Sequence, residues 1–70
     1  MKFAVGDRVV RTKKGMWDIG TTATIVGTFP NGNDYEVIVD IDTSEEKVGW
    51  YEDYVELESI WNSPLYQALL

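Results

Sequence analysis

The residue types that carry most enzyme chemistry are missing from this 70-residue sequence, which holds neither cysteine nor histidine. Their absence excludes disulfides, thiolate zinc sites, cysteine nucleophiles and histidine bases. Carboxylates remain as candidate acids and bases, but no pair of them stands out by its position in the sequence. The sequence therefore predicts a protein that is not an enzyme, with no catalytic residue and no cofactor.

The carboxylates form a dense acidic group in the later part of the chain. Its members are Asp40, Asp42, Glu45, Glu46, Glu52, Asp53, Glu56 and Glu58. Residues 40–46 lack the glycine and the bidentate ending of a calcium loop, so we predict no metal site. The acidic surface either imitates nucleic-acid phosphates or binds a basic groove on a partner protein, or it only keeps the protein soluble.

The cations are concentrated at the other end of the sequence. The net charge is −6, yet every lysine and arginine except Lys47 lies within residues 1–14. A basic patch beside an aromatic ring is typical of nucleic-acid binding. The same cations could instead form salt bridges on a solvated surface, because the surrounding carboxylates repel phosphate. The candidate nucleic-acid-binding residues are Arg8, Arg11, Lys13, Lys14 and Trp17.

Aromatic residues supply the candidate surface for binding a protein. Trp17 lies in a long connection between two predicted strands, where it either anchors a partner or folds over an open end of the domain. Strand alternation sends Trp50 and Tyr51 to opposite faces, and we expect Trp50 inside and Tyr51 outside. Together with Tyr35 and Tyr54, they could form a stacking or peptide-binding platform. The predicted protein-binding residues are Trp17, Tyr51, Tyr54, Asp40, Asp42, Glu45, Glu46, Glu52 and Asp53.

Five short strands must position these side chains. Runs of β-branched residues bounded by turn formers predict strands over residues 7–12, 21–29, 35–42, 47–51 and 54–58. The segment from Pro30 to Asp34 predicts a hairpin turn at Asn31 and Gly32. By alternation, the core-facing groups are Ala23, Ile25, Gly27 and Phe29, then Tyr35, Val37, Val39 and Ile41, and finally Val55 and Leu57. Strands with frequent turns and no intervening helix predict an all-β antiparallel barrel over residues 1–58.

The tail, residues 59–70, changes character. Ser63 can cap a helix that begins at Pro64. Apolar side chains then recur at helical spacing, at Leu65, Tyr66, Leu69 and Leu70. Because so short a helix is unstable alone, we expect its apolar face to pack across the mouth of the barrel. The alternative is a dimer contact or docking on a partner.

Several motifs resemble the SH3-like small β-barrels. Residues 5–10, VGDRVV, resemble the GDxV opening of the first strand in KOW-type domains, and residues 20–26, GTTATIV, are similar to their GxxGxV segment. Residues 35–39, YEVIV, and 55–57, VEL, resemble the small barrel proteins of photosystem I and of ferredoxin–thioredoxin reductase, where the barrel is the variable chain. The resemblance covers residues 5–58 and implies a five-stranded antiparallel SH3-like barrel.

Together these features predict a small acidic protein-interaction module, such as a bacterial or phage accessory protein that binds and modulates a host protein. The alternatives are a KOW-type nucleic-acid-binding domain that uses the basic patch, and a structural component of a larger complex. No apolar run is long enough to span a membrane, and no signal-type hydrophobic region follows Met1. We therefore expect a cytoplasmic monomer or small homo-oligomer with no membrane partner.

Overall fold

Five β-strands form one antiparallel sheet in the computed structural model, which describes residues 3–13, 15, 17–31 and 34–69. The strands are β1 (Arg8–Arg11), β2 (Thr22–Asn31), β3 (Asp34–Ile41), β4 (Lys47–Tyr51) and β5 (Val55–Leu57). A 3-10 helix, Glu52–Tyr54, joins β4 to β5, and two short helices follow, α1 (Glu58–Trp61) and α2 (Pro64–Ala68). The predicted five-stranded antiparallel sheet and the helix near the C-terminus are confirmed. The helix α1 was not predicted.

The strand order is β4-β3-β2-β1-β5, so the last strand returns to pair with the first. Val9 of β1 lies opposite Leu57, and Arg11 lies opposite Val55. In the described part of the chain, β4 and β5 are not hydrogen-bonded to each other, and the sheet is not closed into a barrel. The closure that we predicted from the sequence is therefore not observed.

A β-bulge at Val26 changes which side of β2 faces the core. The β2 residues on either side of Val26 pair with consecutive residues of β3, so Val26 itself has no partner in that strand. One extra residue inverts the alternation of side chains beyond it. Ala23 and Ile25 are buried as predicted, but Phe29 is 55% exposed. The expectation that Gly27 and Phe29 share the core face is therefore wrong.

The core lies on one side of the sheet and draws on every strand. Its apolar side chains are mostly β-branched, which suits a pleated, buried surface. They are Phe3, Val9, Ala23, Ile25, Val37, Val39, Ile41, Trp50 and Val55, with Trp17, Val48 and Leu57 packed against them. Alternation predicted the inward face of β3, β4 and β5, except that the side chain of Tyr35 lies outside the described residues. Gly32 of the predicted turn also lies outside them, while Asn31 ends β2 opposite Asp34.

The tail packs on the sheet through α1, which lies against β1 and β5. The helix α2 begins at Pro64 after Ser63, as predicted, although the Ser63 side chain makes no capping hydrogen bond. Leu65 and Leu69 are 75% and 80% exposed. The expectation that this apolar face packs across the end of the barrel is therefore wrong for both side chains, and Leu70 lies outside the described residues.

Arg8 ties four segments of the chain together on the outer side of β1. Its Nη1 donates to Thr24 Oγ1 and to Asp42 Oδ1, both at 2.8 Å. Its Nη2 donates to Asp42 Oδ2 at 2.6 Å and to Glu58 Oε2 at 3.2 Å. Thr22 Oγ1 donates to the same Asp42 Oδ2 at 2.6 Å. Two parallel bonds between a guanidinium and a carboxylate are the strongest geometry for such a pair.

Acid should weaken this network by protonating Asp42. Hydrogen bonds from Arg8 and then from Thr22 lower the pKa of Asp42 from 3.8 to about 2. Because the folded protein holds the charged form more strongly than the unfolded chain does, this stabilisation is complete above pH 3.8. It is lost as the pH falls through about 2.

We expect Asp42→Asn to lower the free energy of unfolding at neutral pH by about 1 kcal/mol, because both partners are partly exposed. The difference between variant and wild type should shrink as the pH approaches about 2. Urea unfolding at several pH values measures this. Asp53→Asn, at an exposed carboxylate, is the control and should change little. An Asp42→Asn effect that is independent of pH would contradict the assignment.

Candidate functional site

An open groove lies between β4, the 3-10 helix and the connection from β1 to β2. Its volume is about 530 Å³, which is within the range of ligand-binding clefts. Rings and aliphatic groups make up most of its lining. The lining residues are Arg11, Gly15, Trp17, Val48, Gly49, Trp50, Tyr51 and Tyr54. The structure therefore brings together the three predicted protein-binding aromatics, Trp17, Tyr51 and Tyr54.

Backbone hydrogen bonds hold the β1–β2 connection beside the 3-10 helix. Thr12 N–H donates to the Tyr54 carbonyl at 2.8 Å, which fixes the start of the connection. Gly20 N–H donates to the Arg11 carbonyl at 2.8 Å, which closes its base. Gly20 has φ +94°, a conformation that side chains rarely adopt, so glycine is needed at this turn. These contacts hold the segment that carries Trp17 next to the end of β4.

Two neighbouring aromatic residues of β4 face opposite ways, as predicted. Trp50 is 2% exposed and belongs to the core, whereas Tyr51 is 45% exposed. The 3-10 helix then turns the chain so that Tyr54 returns to Tyr51. Their ring centroids are 5.9 Å apart in an edge-to-face arrangement, which is a favourable geometry for an aromatic pair. Trp17 is half-buried, since it packs against the core and also lines the groove.

Arg11 is buried among these rings, with only 5% of its surface exposed. Its Cζ lies 4.7 Å from the Tyr54 ring centroid and 5.4 Å from that of Trp50. Its Nε donates to the Lys13 carbonyl at 2.6 Å. Burial lowers the pKa of the Arg11 guanidinium, because desolvation disfavours the charged form. Among the described residues, Arg11 makes no ion pair with a carboxylate.

The structure divides the predicted basic patch. Arg8 and Arg11 begin and end the four-residue β1 and lie on opposite faces of it. Arg8 is engaged by Asp42 and Glu58, whereas Arg11 lines the groove. Lys13 is exposed, with its Nζ 5.5 Å from the Tyr54 ring centroid. Lys14 lies outside the described residues, so the basic side chains placed at the groove are Arg11 and Lys13.

The predicted acidic surface is divided as well. One group lies at the end of β3 and in the connection that follows it, and comprises Asp40, Asp42, Glu45 and Glu46. The other, Glu52 and Asp53, lies in the 3-10 helix, which follows β4 where Tyr51 pairs with Glu36 near the start of β3. At roughly 3.3 Å per residue, the length of β3 separates the two groups by about 20 Å. A single partner surface of small area cannot contact both groups.

Sequence reasoning did not identify Arg11 as a buried groove residue. A charged residue in a short strand is expected at the surface. The rings that cover Arg11 come from Trp50 and Tyr54, which are distant in the sequence. The alternation of β1 did carry one signal, because Arg11 shares a face with the core residue Val9. That pattern separates Arg11 from Arg8.

The described residues contain no group of three or more carboxylates placed to hold a metal ion. No helix in that part of the chain is long and apolar enough to cross a membrane. The groove, with its rings and its buried cation, is the surface best suited to bind another molecule. The chain matches no protein-family model, no curated protein and no solved structure.

Proposed function

We propose that this chain is a non-enzymatic protein-interaction module whose aromatic groove binds an extended segment of a partner protein. The observation that carries the proposal is the meeting of Trp17, Trp50, Tyr51 and Tyr54 around one open groove. Aromatic residues contribute large contact areas at a low cost in conformational entropy, and they dominate the energetics of many interfaces. A groove of this kind suits a narrow chain more than the flat surface of a folded partner.

We also propose that the sheet is an SH3-like barrel. Two features support this. The fifth strand returns to pair with the first, and the 3-10 helix connects the ends of β4 and β5. Trp50 of β4 and Val55 of β5 belong to the same buried cluster, so the two edges of the sheet enclose one core. Two predictions from the sequence stay predictions: a cytoplasmic bacterial or phage accessory protein that modulates a host protein, and a structural component of a larger complex.

The indole of Trp50 supports an extended peptide as the occupant. Its Nε1–H is buried and has no acceptor among the described residues. A buried donor without an acceptor costs free energy, which a new hydrogen bond can recover. An extended peptide presents backbone carbonyls at regular intervals, so it can supply that acceptor where it passes Trp50.

Selection from a random peptide library tests this proposal. We expect the wild-type protein to enrich peptides that bind it in solution. Tyr51→Ala and Trp17→Ala should each weaken that binding by about tenfold or more, because each removes an aromatic wall of the groove. Leu65→Ala and Leu69→Ala are the matched controls. They truncate the most exposed large apolar side chains among the described residues, which lie in the tail and do not line the groove.

The controls also distinguish two surfaces of the protein. Binding that survives Tyr51→Ala and Trp17→Ala but is lost in Leu65→Ala or Leu69→Ala would place the interaction on the tail and refute the proposal. Failure of the wild-type protein to enrich any peptide would also refute it. Circular dichroism of each variant shows whether a loss of binding reflects a loss of fold.

A nucleic-acid-binding function is the second candidate, favoured by the two cations that lie over the Tyr54 ring. Rings beside cations can stack bases and contact phosphates. The net charge of −6 opposes it, and Arg8 is engaged in ion pairs. Titration of a single-stranded oligonucleotide at increasing salt tests this function, which predicts an affinity that falls steeply with salt. We expect no measurable binding.

A further inference from the structure

We propose that the segment bound in the groove carries an aspartate or glutamate side chain and that its carboxylate pairs with the Arg11 guanidinium. This inference rests on the proposed function and specifies the chemistry of the partner. The groove thereby combines two kinds of recognition, aromatic contact along the segment and one charged anchor. The observations that carry it are the burial of Arg11 and its lack of a counterion.

Arg11 is a buried cation without an anionic partner. A buried charge is costly unless it is paired, and buried arginines are generally matched by carboxylates. Of the five N–H donors of Arg11, only the one on Nε has an acceptor among the described residues, the Lys13 carbonyl. The Trp50 and Tyr54 rings supply cation–π contacts, which do not satisfy the donors on Nη1 and Nη2. The guanidinium therefore retains its capacity for a bidentate carboxylate.

The carboxylates near the groove do not fill this role. Glu36 and Glu52 are each engaged in other interactions, and Asp53 is exposed in the 3-10 helix. Within the described residues, the two carboxylates that form ion pairs are Asp42 and Glu58, and both pair with Arg8 on the other face of β1. Arg11 is therefore left to an anion from outside the chain.

Gly15 leaves room for that anion. A side chain at position 15 would collide with Nη2 of Arg11, so this nitrogen lies directly under Gly15. Gly15 itself lines the groove. The absence of a side chain here keeps the end of the guanidinium uncovered on the groove side. Gly15→Ala should displace the guanidinium and weaken the binding of an acidic segment.

A single carboxylate fits this site better than a polyanion. The net charge of −6 repels a nucleic acid, whose phosphates would also approach Glu52 and Asp53. One carboxylate flanked by apolar residues places its charge at Arg11 and its neighbours against the rings. Lys13, exposed beside Tyr54, adds a second cation at the edge of the same site.

Selection from a random peptide library, displayed with the C-terminus of each peptide fused to a carrier, tests the inference. We expect the enriched peptides to share an aspartate or glutamate at one position among apolar residues. The best peptide is then synthesised with an amidated C-terminus, so that only a side chain can supply the carboxylate. Changing its acidic residue to the corresponding amide should weaken binding to the wild-type protein by about ten- to a hundredfold.

Arg11→Met is the matched protein variant, because methionine keeps apolar contact with the rings and removes the charge. We expect its stability to equal or exceed that of the wild type, since an unpaired buried cation is lost. Its affinity for the acidic peptide should fall to that of the amide peptide, and the two peptides should bind it equally. The peptide substitution leaves the protein unchanged, so the test holds even if Arg11→Met does not fold.

Three results would overturn the inference while leaving the proposed function intact. They are enriched peptides without a shared acidic position, equal binding of the acidic and amide peptides to the wild type, or binding only by a peptide with a free C-terminal carboxylate. In each case, binding would still depend on Tyr51. Competition by an oligonucleotide that requires Arg11 would assign the site to phosphate instead and would also overturn it. If no peptide is enriched, the proposed function itself fails.

Discussion

Ile25→Ala should lower the free energy of unfolding by about 3 to 4 kcal/mol, the cost of emptying a fully buried site. Ile25 is 0% exposed and lies at the centre of β2, just before the bulge. Its side chain belongs to the cluster that joins all five strands. A domain of 70 residues has a total stability of roughly 4 to 10 kcal/mol. The variant should therefore be partly unfolded in mild denaturant.

Two further substitutions calibrate this effect. Ile25→Val removes one methylene and should cost about 1 kcal/mol. Ile19→Ala makes the same chemical change at a side chain that is 46% exposed, and it should cost less than about 1 kcal/mol. Urea unfolding followed by circular dichroism measures all three. Equal losses for Ile25→Ala and Ile19→Ala would show that the core is not centred on β2.

Trp50→Ala should be at least as damaging, with an expected loss of about 3 to 5 kcal/mol. Trp50 is the largest side chain of the core cluster, and Arg11 lies over its ring. Its removal opens a cavity beneath the groove and leaves the guanidinium with one aromatic neighbour. We expect the variant to be largely unfolded and to bind no peptide.

Trp50→Phe separates packing from hydrogen bonding at this position. The smaller ring keeps much of the apolar contact and removes the Nε1–H that lacks an acceptor in the described residues. Its stability should therefore lie much closer to that of the wild type than Trp50→Ala does. If Nε1–H donates to a bound peptide, affinity should still fall by about tenfold. Unchanged affinity in a folded Trp50→Phe would remove this donor from the binding account.

Strand alternation predicted the parts of the fold in which one face is buried and the other exposed. In β4, the opposite placement of Trp50 and Tyr51 followed directly from the period of two. The bulge at Val26 was not predictable, because small and β-branched residues continue without a break on both sides of it. The helix α1 has four residues and no capping side chain, so it carries none of the usual helix signals.

The candidate site was predicted in its components and not in its arrangement. The aromatic residues Trp17, Tyr51 and Tyr54 were each identified as binding residues, and the structure brings them to one groove. The cations were treated as a continuous patch, although β1 directs Arg8 and Arg11 to opposite faces. Contacts between residues far apart in the sequence, such as Arg11 with Tyr54, follow from strand pairing and are invisible to local patterns.

The most direct test of the account is to map the binding surface with an amidated acidic peptide by two-dimensional NMR of the isotope-labelled protein. The account predicts that the largest shifts occur at the indole N–H groups of Trp17 and Trp50, at the backbone of Tyr51 and Tyr54, and at Nε–H of Arg11. Shifts concentrated instead in residues 40–46, or in the tail around Leu65 and Leu69, would contradict it. Either of those results would move the binding site to the other end of β3 or to α2.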